Sequence, residues 1–479
     1  MELMPGYKQT EVGVIPEDWE IVLLDSVAKR GSGHTPDKAY PEYWGGQIKW
    51  ISLQDSDRLD RLYIYDTVAK ITPAGIANSS AKMHPAGTVV LSRDAGVGKS
   101  AIMTNDMAVS QHFMAWTCSA LLNNHYLYYW LQSNKSEFER IAMGNTIKTI
   151  GLPYFKRLVI QLPTLAEQEA IAEALSDADA LIEALAQLIA KKRQIKQGAM
   201  QELLRPKNGW VGKRLDELAS FHKGKGLAKS ELHPFGMYPC IHYGELFTKY
   251  SETISNVQSC TNSASGMFHS ISNDVLMPTS DVTPNGLATA SCILKDGVIL
   301  GGDILVIRAD RKELNGTFLS YIIRWSKEQV MQLIKGTTVY HLHGSDMKQF
   351  SFTMPQVRDQ EAIVKILSDM DAEIAAQEAK LAKARQVKQG MMQELLTGRI
   401  RLIGGVETQD VASVRGSAAV YRRKMLRLYV GWRRCRDARC CVCMWGGGGV
   451  ETQDVASVCG VGGGVETQDV ASVRGSAAV

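Results

Sequence analysis

The sequence predicts a mixed α/β (α+β) protein. Two globular domains are joined by two long antiparallel helices forming a coiled coil, and the whole is an internal pseudo-twofold repeat. Three observations predict this. A segment of 42 residues recurs without a gap 192 positions further on: PTLAEQEAIAEALSDADALIEALAQLIAKKRQIKQGAMQELL (163–204) lies over PQVRDQEAIVKILSDMDAEIAAQEAKLAKARQVKQGMMQELL (355–396), with 24 identical positions. Within each copy, apolar residues fall at alternating steps of 4 and 3. The stretches before each copy read instead as short strands rich in β-branched and aromatic residues, with Gly or Pro at their edges.

Taken in order, the first domain covers 1–162. It opens at Trp19 in DWEIVLLDSVA (18–28) and offers strands in GTVVLSRDA (87–95) and MAVSQHFMAWTC (107–118). One amphipathic helix, HYLYYWLQSNKSEFERIA (125–142), follows. The first helical segment, 163–208, starts after Pro163 and stops at Pro206. Its seam is Ile171, Leu175, Ala178, Ile182, Leu185 and Ile189, an a/d pattern that requires a partner helix. The second domain, 209–354, opens at Trp210 in GWVGKRLDELA and repeats the plan. It has strands in GVILGGDILVIRAD (297–310) and SFTMP (351–355), and a helix in LNGTFLSYIIRWSKEQVMQLI (314–334). GNTIKTI (144–150) and GTTVYHL (336–342) are again 192 apart. The second helical segment, 355–403, carries Ile363, Leu367, Met370, Ile374, Gln377, Leu381 and Ala384 on its seam and stops at Thr397-Gly398. Some 38 helical residues make a rod of about 57 Å. The middles of the two domains do not align by eye. A shared frame implies a common structural task, and unlike interiors imply that the domains meet different things.

The chain has 479 residues, room for about three domains. With 45% hydrophobic and 22% charged residues it reads as globular, not disordered. The N-terminal MELMPGYKQTEVGVIPEDWE lacks the basic and apolar regions of a signal peptide, and no stretch approaches the roughly 18 apolar residues of a membrane span. A cytoplasmic protein with no membrane partner is expected. Net charge is +4, but residues 404–479 hold 10 Lys+Arg and 7 Asp+Glu, which leaves 44 against 43 in the rest. Any nucleic-acid surface must therefore be a local patch. Of the nine cysteines, Cys118, Cys240, Cys260 and Cys292 are scattered and read as buried, reduced thiols.

Several catalytic signatures are absent. GVGKS (Gly96–Ser100) suggests a phosphate loop, but the required earlier glycine is Arg93, so a plain turn is expected. No Asp/Asn-Pro-Pro-aromatic segment marks an amino-methyltransferase. Pro36-Asp37 has no nuclease-like carboxylates nearby in sequence. His341 and His343 share a strand face without a third metal ligand, and fit a polar turn or a base or phosphate contact. The chain does not read as an enzyme by itself. Residues 404–479 repeat GGVETQDVASV from Gly404, Gly448 and Gly463 without hydrophobic periodicity, and Cys440 and Cys443 have no second ligand pair for zinc. This low-complexity tail is expected to be non-functional.

Beyond these patterns, several segments carry a resemblance: the Trp-led domain starts, HTPDKAYPEYWGGQIKWISLQD (His34–Asp55), YPCIHYGELFTKY (Tyr238–Tyr250), the Pro-led helix starts and the KQGxMQELL helix ends. Over roughly residues 5–403 the chain resembles the specificity (S) subunit of Type I restriction–modification systems; the tail has no counterpart there. The resemblance implies two target-recognition domains that read an asymmetric, bipartite double-stranded DNA site, with half-sites about 10 bp apart and the helices as a ruler. It implies partners: two methyltransferase subunits and ATP-dependent restriction (translocase/nuclease) subunits. S-adenosylmethionine, ATP and Mg2+ would belong to those partners, with no cofactor or metal in this chain. Candidate DNA-binding residues are Arg30, His34, Trp44, Arg93, Lys99, Gln111, Asn145 and Lys148 in the first domain. In the second they are Lys223, Lys225, Tyr243, Thr337, Tyr340, His341 and His343. Arg and Gln suit base edges, Lys and the Gly-Thr backbone suit phosphates, and Trp44 also suits a core. The competing reading is an architectural two-lobed coiled-coil protein that binds proteins and has no sequence preference on DNA.

Overall fold

Thr164 caps the first long helix, its hydroxyl accepting from the Glu167 amide, and the helix runs Leu165–Leu204. The second runs Val357–Leu395. A computed structural model describes residues 5–144, 148–263 and 265–402. The repeated tail and Asn145 lie outside the described residues. The two long helices pack antiparallel along the expected seam: Ile171, Leu175 and Ile189 on one and Ile363, Leu367 and Ile374 on the other are buried. The remaining seam positions are half-buried. Between the seams, Lys192 pairs with Glu373 and Arg193 with Glu378 (2.6 Å) across the helices.

In the first domain, β1 (Tyr7–Thr10) and β2 (Gly13–Pro16) form a hairpin ahead of β3 (Glu20–Leu23). Then come β4 (Ala28–Ser32), β5 (Trp44–Ile51), β6 (Tyr63–Ile64), β7 (Ala69–Ile71) and β8 (Met83–His84). They are followed by β9 (Val89–Ser92), β10 (Ser100–Met103), β11 (Met107–Val109), β12 (Phe113–Cys118) and β13 (Val159–Leu162). The strands make a five-stranded sheet β4-β12-β9-β10-β6, a four-stranded sheet β7-β5-β11-β8, and a ribbon β13-β3. The second domain has β14 (Val211–Arg214), β15 (Ala219–Lys223), β16 (Tyr238–Ile241), β17 (Thr253–Ile254), β18 (Ser259–Thr261) and β19 (Phe268–His269). It continues with β20 (Val275–Pro278), β21 (Ser280–Asp281), β22 (Ser291–Ile293), β23 (Ile299–Leu300), β24 (Ile304–Ala309), β25 (Tyr340–His341) and β26 (Ser351–Met354). Its sheets are β15-β24-β20-β22-β17 and β18-β16-β23-β19, with a ribbon β14-β26. Strand order agrees in the two larger sheets, and so does the parallel pairing of β6 with β10, β5 with β11, β17 with β22 and β16 with β23, while the β1-β2 hairpin and a β21-β25 ribbon each belong to one domain. The interiors that do not align as sequences therefore have one topology.

Three local expectations need correction. MAVSQHFMAWTC is two strands, because the chain crosses between sheets at Ser110–His112; GVILGGDILVIRAD divides likewise at Gly301–Asp303. Each predicted domain helix is two: Asn124–Ser133 and Lys135–Ile141, then Gly316–Trp325 and Lys327–Leu333. At the first break the Asn134 side chain returns a hydrogen bond to the Trp130 carbonyl (2.8 Å), ending the helix although the apolar pattern continues. Of the four thiols, Cys240 and Cys292 are buried but Cys118 and Cys260 only half-buried. Burial pushes Cys118 and Cys240 up to about 12 and Cys292 up to about 11.

Each domain core continues into both helices. Around the first domain's Trp116, Tyr126, Tyr129 and Phe155 pack Ile171 and Leu175 from the start of the first helix, and Met392 and Leu395 from the end of the second. Around the second domain's Phe318, Tyr321 and Phe350 pack Leu204 from the end of the first helix, and Ile363 and Leu367 from the start of the second. Burying one such Leu contributes about 1.5–3 kcal/mol. Gln168 and Gln360, both fully buried, repeat one hydrogen-bond set. The first accepts from the Asn123 amide (2.8 Å) and donates to the Leu121 and Pro163 carbonyls; the second accepts from Asn315 (2.9 Å) and donates to Glu313 and Pro355. At the N-terminal domain the frame closes with a set of contacts not repeated in the other half among the described residues. Arg401 reaches back to Asp18 (2.7 Å) and Glu167 (2.5 Å), and Glu167 also accepts from the Trp19 indole (3.0 Å). The hydrogen bonds from Arg401 hold the Asp18 carboxyl below its usual range. Among the described residues, no helix is long and apolar enough to cross a membrane.

Candidate nucleic-acid interface

Four segments meet at the same place in each domain. In the first they are the loop after β4, the β9–β10 turn, the β11–β12 crossing and the segment before β13. Backbone bonds assemble them: Arg93 N–H to the His112 carbonyl (2.9 Å), Ile150 N–H to Arg93 (3.0 Å), and Ser110 N–H to Ile51 (2.9 Å). The second domain makes the same three bonds at corresponding positions: Thr279 to Asp303 (3.0 Å), Leu342 to Thr279 (3.0 Å), and Gly301 to Ile241 (2.9 Å). Isolated bridges Met143–Thr149 and Lys335–His341 correspond as well. Where the first loop crosses the sheet, a Cβ on Gly33 would lie 1.5 Å from the Val109 carbonyl oxygen. The corresponding Gly224 would place one 2.0 Å from that of Gly301, so only glycine fits either crossing.

On this shared backbone the side chains differ. The first domain carries a polar chain. Thr35 donates to Gln111 (2.7 Å), the Gln111 amide lies 3.3 Å from His112 Nε2, and His112 Nδ1 is 2.7 Å from Asp94. Thr149 also bonds to Asp94, and Arg93 donates to the Ile150 carbonyl (3.0 Å). At the matching positions of the second domain stand Thr279, Ser280, Gly302, Asp303 and His341. There Ser280 pairs with His341 and Asp281 with Tyr340 as strands, and the His341 and His343 rings stack 6.1 Å apart, 4° from parallel. Lys223 lies 3.6 Å from Asp303.

The structure thus gathers Arg93 and Gln111 in the first cluster, and Lys223, Tyr340, His341 and His343 in the second. Lys225, whose amide bonds to the Leu300 carbonyl (3.0 Å), lies on the crossing loop, and Thr337 is exposed on the hairpin ending at His341. His34 and Lys148 are exposed. Others face inward. Arg30 is paired with Asp25 (3.0 Å), Trp44 packs edge-on to Trp50 (5.1 Å), and Tyr243 lies half-buried against His242 (4.6 Å). Lys99 donates to the Ser56 carbonyl (3.1 Å). The GVGKS segment is a strand–turn–strand link, with Gly96 and Gly98 at φ +117° and +85°, and no helix follows to hold a phosphate. Sequence reasoning missed Thr35, Asp94, His112 and Thr149. The available signal was the polar Ser110-Gln111-His112 interruption inside an apolar run.

Comparison with known proteins agrees with this architecture. The sequence matches the Type I restriction modification DNA specificity domain twice, over residues 16–194 and 207–386. The chain belongs to this family. It is similar to the Type I restriction enzyme MjaIX specificity subunit of Methanocaldococcus jannaschii, with 23% identity over 439 residues, 83% of this chain and 96% of that one. The MjaVIII specificity subunit of the same organism is also 23% identical, over 81% of this chain and 94% of its own. In fold, it is similar to the crystal structure of a Type I restriction–modification S subunit from M. genitalium. The TM-score is 0.52 at 16% identity, covering 82% of this chain and 99% of that one. The family and the architecture of two domains and two long helices that the resemblance implied both hold.

Proposed function

We propose that this chain is the sequence-reading subunit of a Type I restriction–modification complex. Each domain reads one half of an asymmetric bipartite DNA site, and the paired helices set the unread gap between halves. The observation that carries this is the single backbone frame presenting two unlike sets of side chains. A common frame delivers both sets to DNA in the same way, and unlike side chains select unlike bases. Arg93, Gln111 and His112 on one side, and Tyr340, His341 and His343 on the other, are the base-edge candidates. Lys148, Lys223 and Lys225 suit phosphates. The chemistry lies with cytoplasmic partners: two methyltransferase subunits that bind S-adenosylmethionine, and restriction subunits that use ATP and Mg2+. Exposed Leu188, Ile195 and Ile366 on the long helices support docking of those partners there.

The test is a domain exchange. Residues 19–150 are replaced by the matching domain of a relative, and methylated adenines are mapped in a host carrying the partner subunits. One half-site should change while the other half and the gap stay. A change in both halves would overturn the modular reading, and loss of any sequence preference in the native protein would favour the architectural one.

A further inference from the structure

Where each domain meets the helices, the same three side chains recur. Tyr129, on helix Asn124–Ser133, donates to Asp179 of the first long helix (2.9 Å). Lys388, from the second long helix, reaches the other oxygen of Asp179 (2.5 Å) and lies 5.2 Å from the Tyr129 ring centroid. In the other half, Tyr321 donates to Asp371 (2.6 Å), and Lys196 pairs with Asp371 (2.5 Å) and lies 5.3 Å from the Tyr321 ring. Each cluster ties one domain to both helices at once. Both tyrosines are buried, and the two lysine side chains keep only 18% and 12% exposure.

We propose that Tyr129–Asp179–Lys388 and Tyr321–Asp371–Lys196 are positioning clamps that fix the angle and register of each reading domain on the rod, and through them the spacer length the protein accepts. This rests on the bipartite reading above. An aliphatic seam tolerates a slip, because one a/d position resembles the next, whereas a buried polar contact is satisfied in a single register. Desolvation offsets much of the attraction in a partly buried ion pair, so such a pair contributes geometry more than stability. The clamps are 17 residues apart on each helix, 179 to 196 and 371 to 388. That separation is about 25 Å of helix, or about seven base-pair steps.

The experiment uses the full chain with its methyltransferase partner. Duplexes carry the native half-sites with the gap stepped from two base pairs short to two long. The wild type should accept one gap. Lys388→Met should keep both half-site sequences but raise methylation at gaps one base pair off by about tenfold relative to the native gap. Lys388→Arg should restore the narrow profile, and Tyr129→Phe, a gentler change, should loosen it less. In parallel, spin labels replacing exposed Tyr65 and Phe235 report the distance between domains in the DNA-free protein, and its distribution should widen in Lys388→Met. A lower melting temperature with an unchanged gap profile and an unchanged distance distribution would overturn the clamp. If the wild type discriminated neither half-site nor gap, the DNA reading itself would fall, while the label distances would still judge the clamp.

Discussion

The two domains differ most where they are free and least where they touch the helices. At the junction, Gln168 and Gln360, Asp179 and Asp371, and Lys388 and Lys196 make matching contacts in both halves. At the opposite extreme, Arg93, Asp94, Gln111 and His112 stand where Thr279, Ser280, Gly302 and Asp303 stand. The same backbone bonds hold both sets, so the tips vary without cost to the frame. A junction that repeats and a tip that does not is the pattern of a common mount for unlike tips.

The largest expected effect tests whether the mounts are equivalent. Leu175 and Leu367 are fully buried at corresponding positions, each in the core of its own domain. Leu175→Ala and Leu367→Ala should each cost about 2–5 kcal/mol, and chemical denaturation should show similar losses for the two. A large loss from one with little from the other would break the equivalence and mark one domain as dependent on the other.

A second, more selective effect concerns the tips. His112→Ala should relax base preference in the half-site of the first domain only, and His341→Ala in that of the second only, each by about 1–3 kcal/mol of discrimination. Competition binding against duplexes substituted at every position reads this directly. His112 is the more informative, because its bond to Asp94 fixes the ring without consuming the Nε2 edge fully. If both substitutions blurred the same half-site, the assignment of one half to each domain would be wrong.

Why were the mounts legible in the sequence and the tips not? The helices align without a gap, and their contacts are made by side chains, so Gln168, Asp179 and Lys196 had to be repeated as residues. Even so, identity alone did not disclose the clamps, since Tyr129 and Tyr321 lie outside the repeated segment. The domain interiors share a frame of backbone bonds, which place little demand on residue type. Their loop lengths also differ: the offset between matching strands falls from 191 at β4 and β15 to 186 at β9 and β20, then returns to 191 at β12 and β24. A sequence comparison loses register there although the sheets do not. Trp44 illustrates the remaining ambiguity. An aromatic beside a Gly-Gly pair fits a DNA surface or a core equally well, and only its packing on Trp50 distinguishes them.

The smallest expected effect exploits a charge present at the second mount and not at the matching position of the first. Lys196 also reaches Glu252 (3.0 Å), whose carbonyl accepts from Cys292. The corresponding bond in the first domain, Ile102 N–H to carbonyl, ends on Leu62, so no carboxylate stands there. Burial opposes ionisation of Glu252, but Arg324 and Lys196 outweigh it and hold its pKa below the ordinary carboxyl value of 4.5. A carboxyl whose pKa is lower in the folded state contributes stability fully present above the unfolded value and lost as pH falls through the folded one. Acidification below about pH 4.5 should therefore loosen the second domain's junction before the first. Hydrogen exchange should show earlier loss of protection in helix Gly316–Trp325 than in Asn124–Ser133. Glu252→Gln should remove the difference, because the amide keeps the shape and no longer titrates. Were the two helices to lose protection together in the wild type, the extra carboxylate would have no bearing on the mount, and the two halves would be equivalent at the junction in energy as well as geometry.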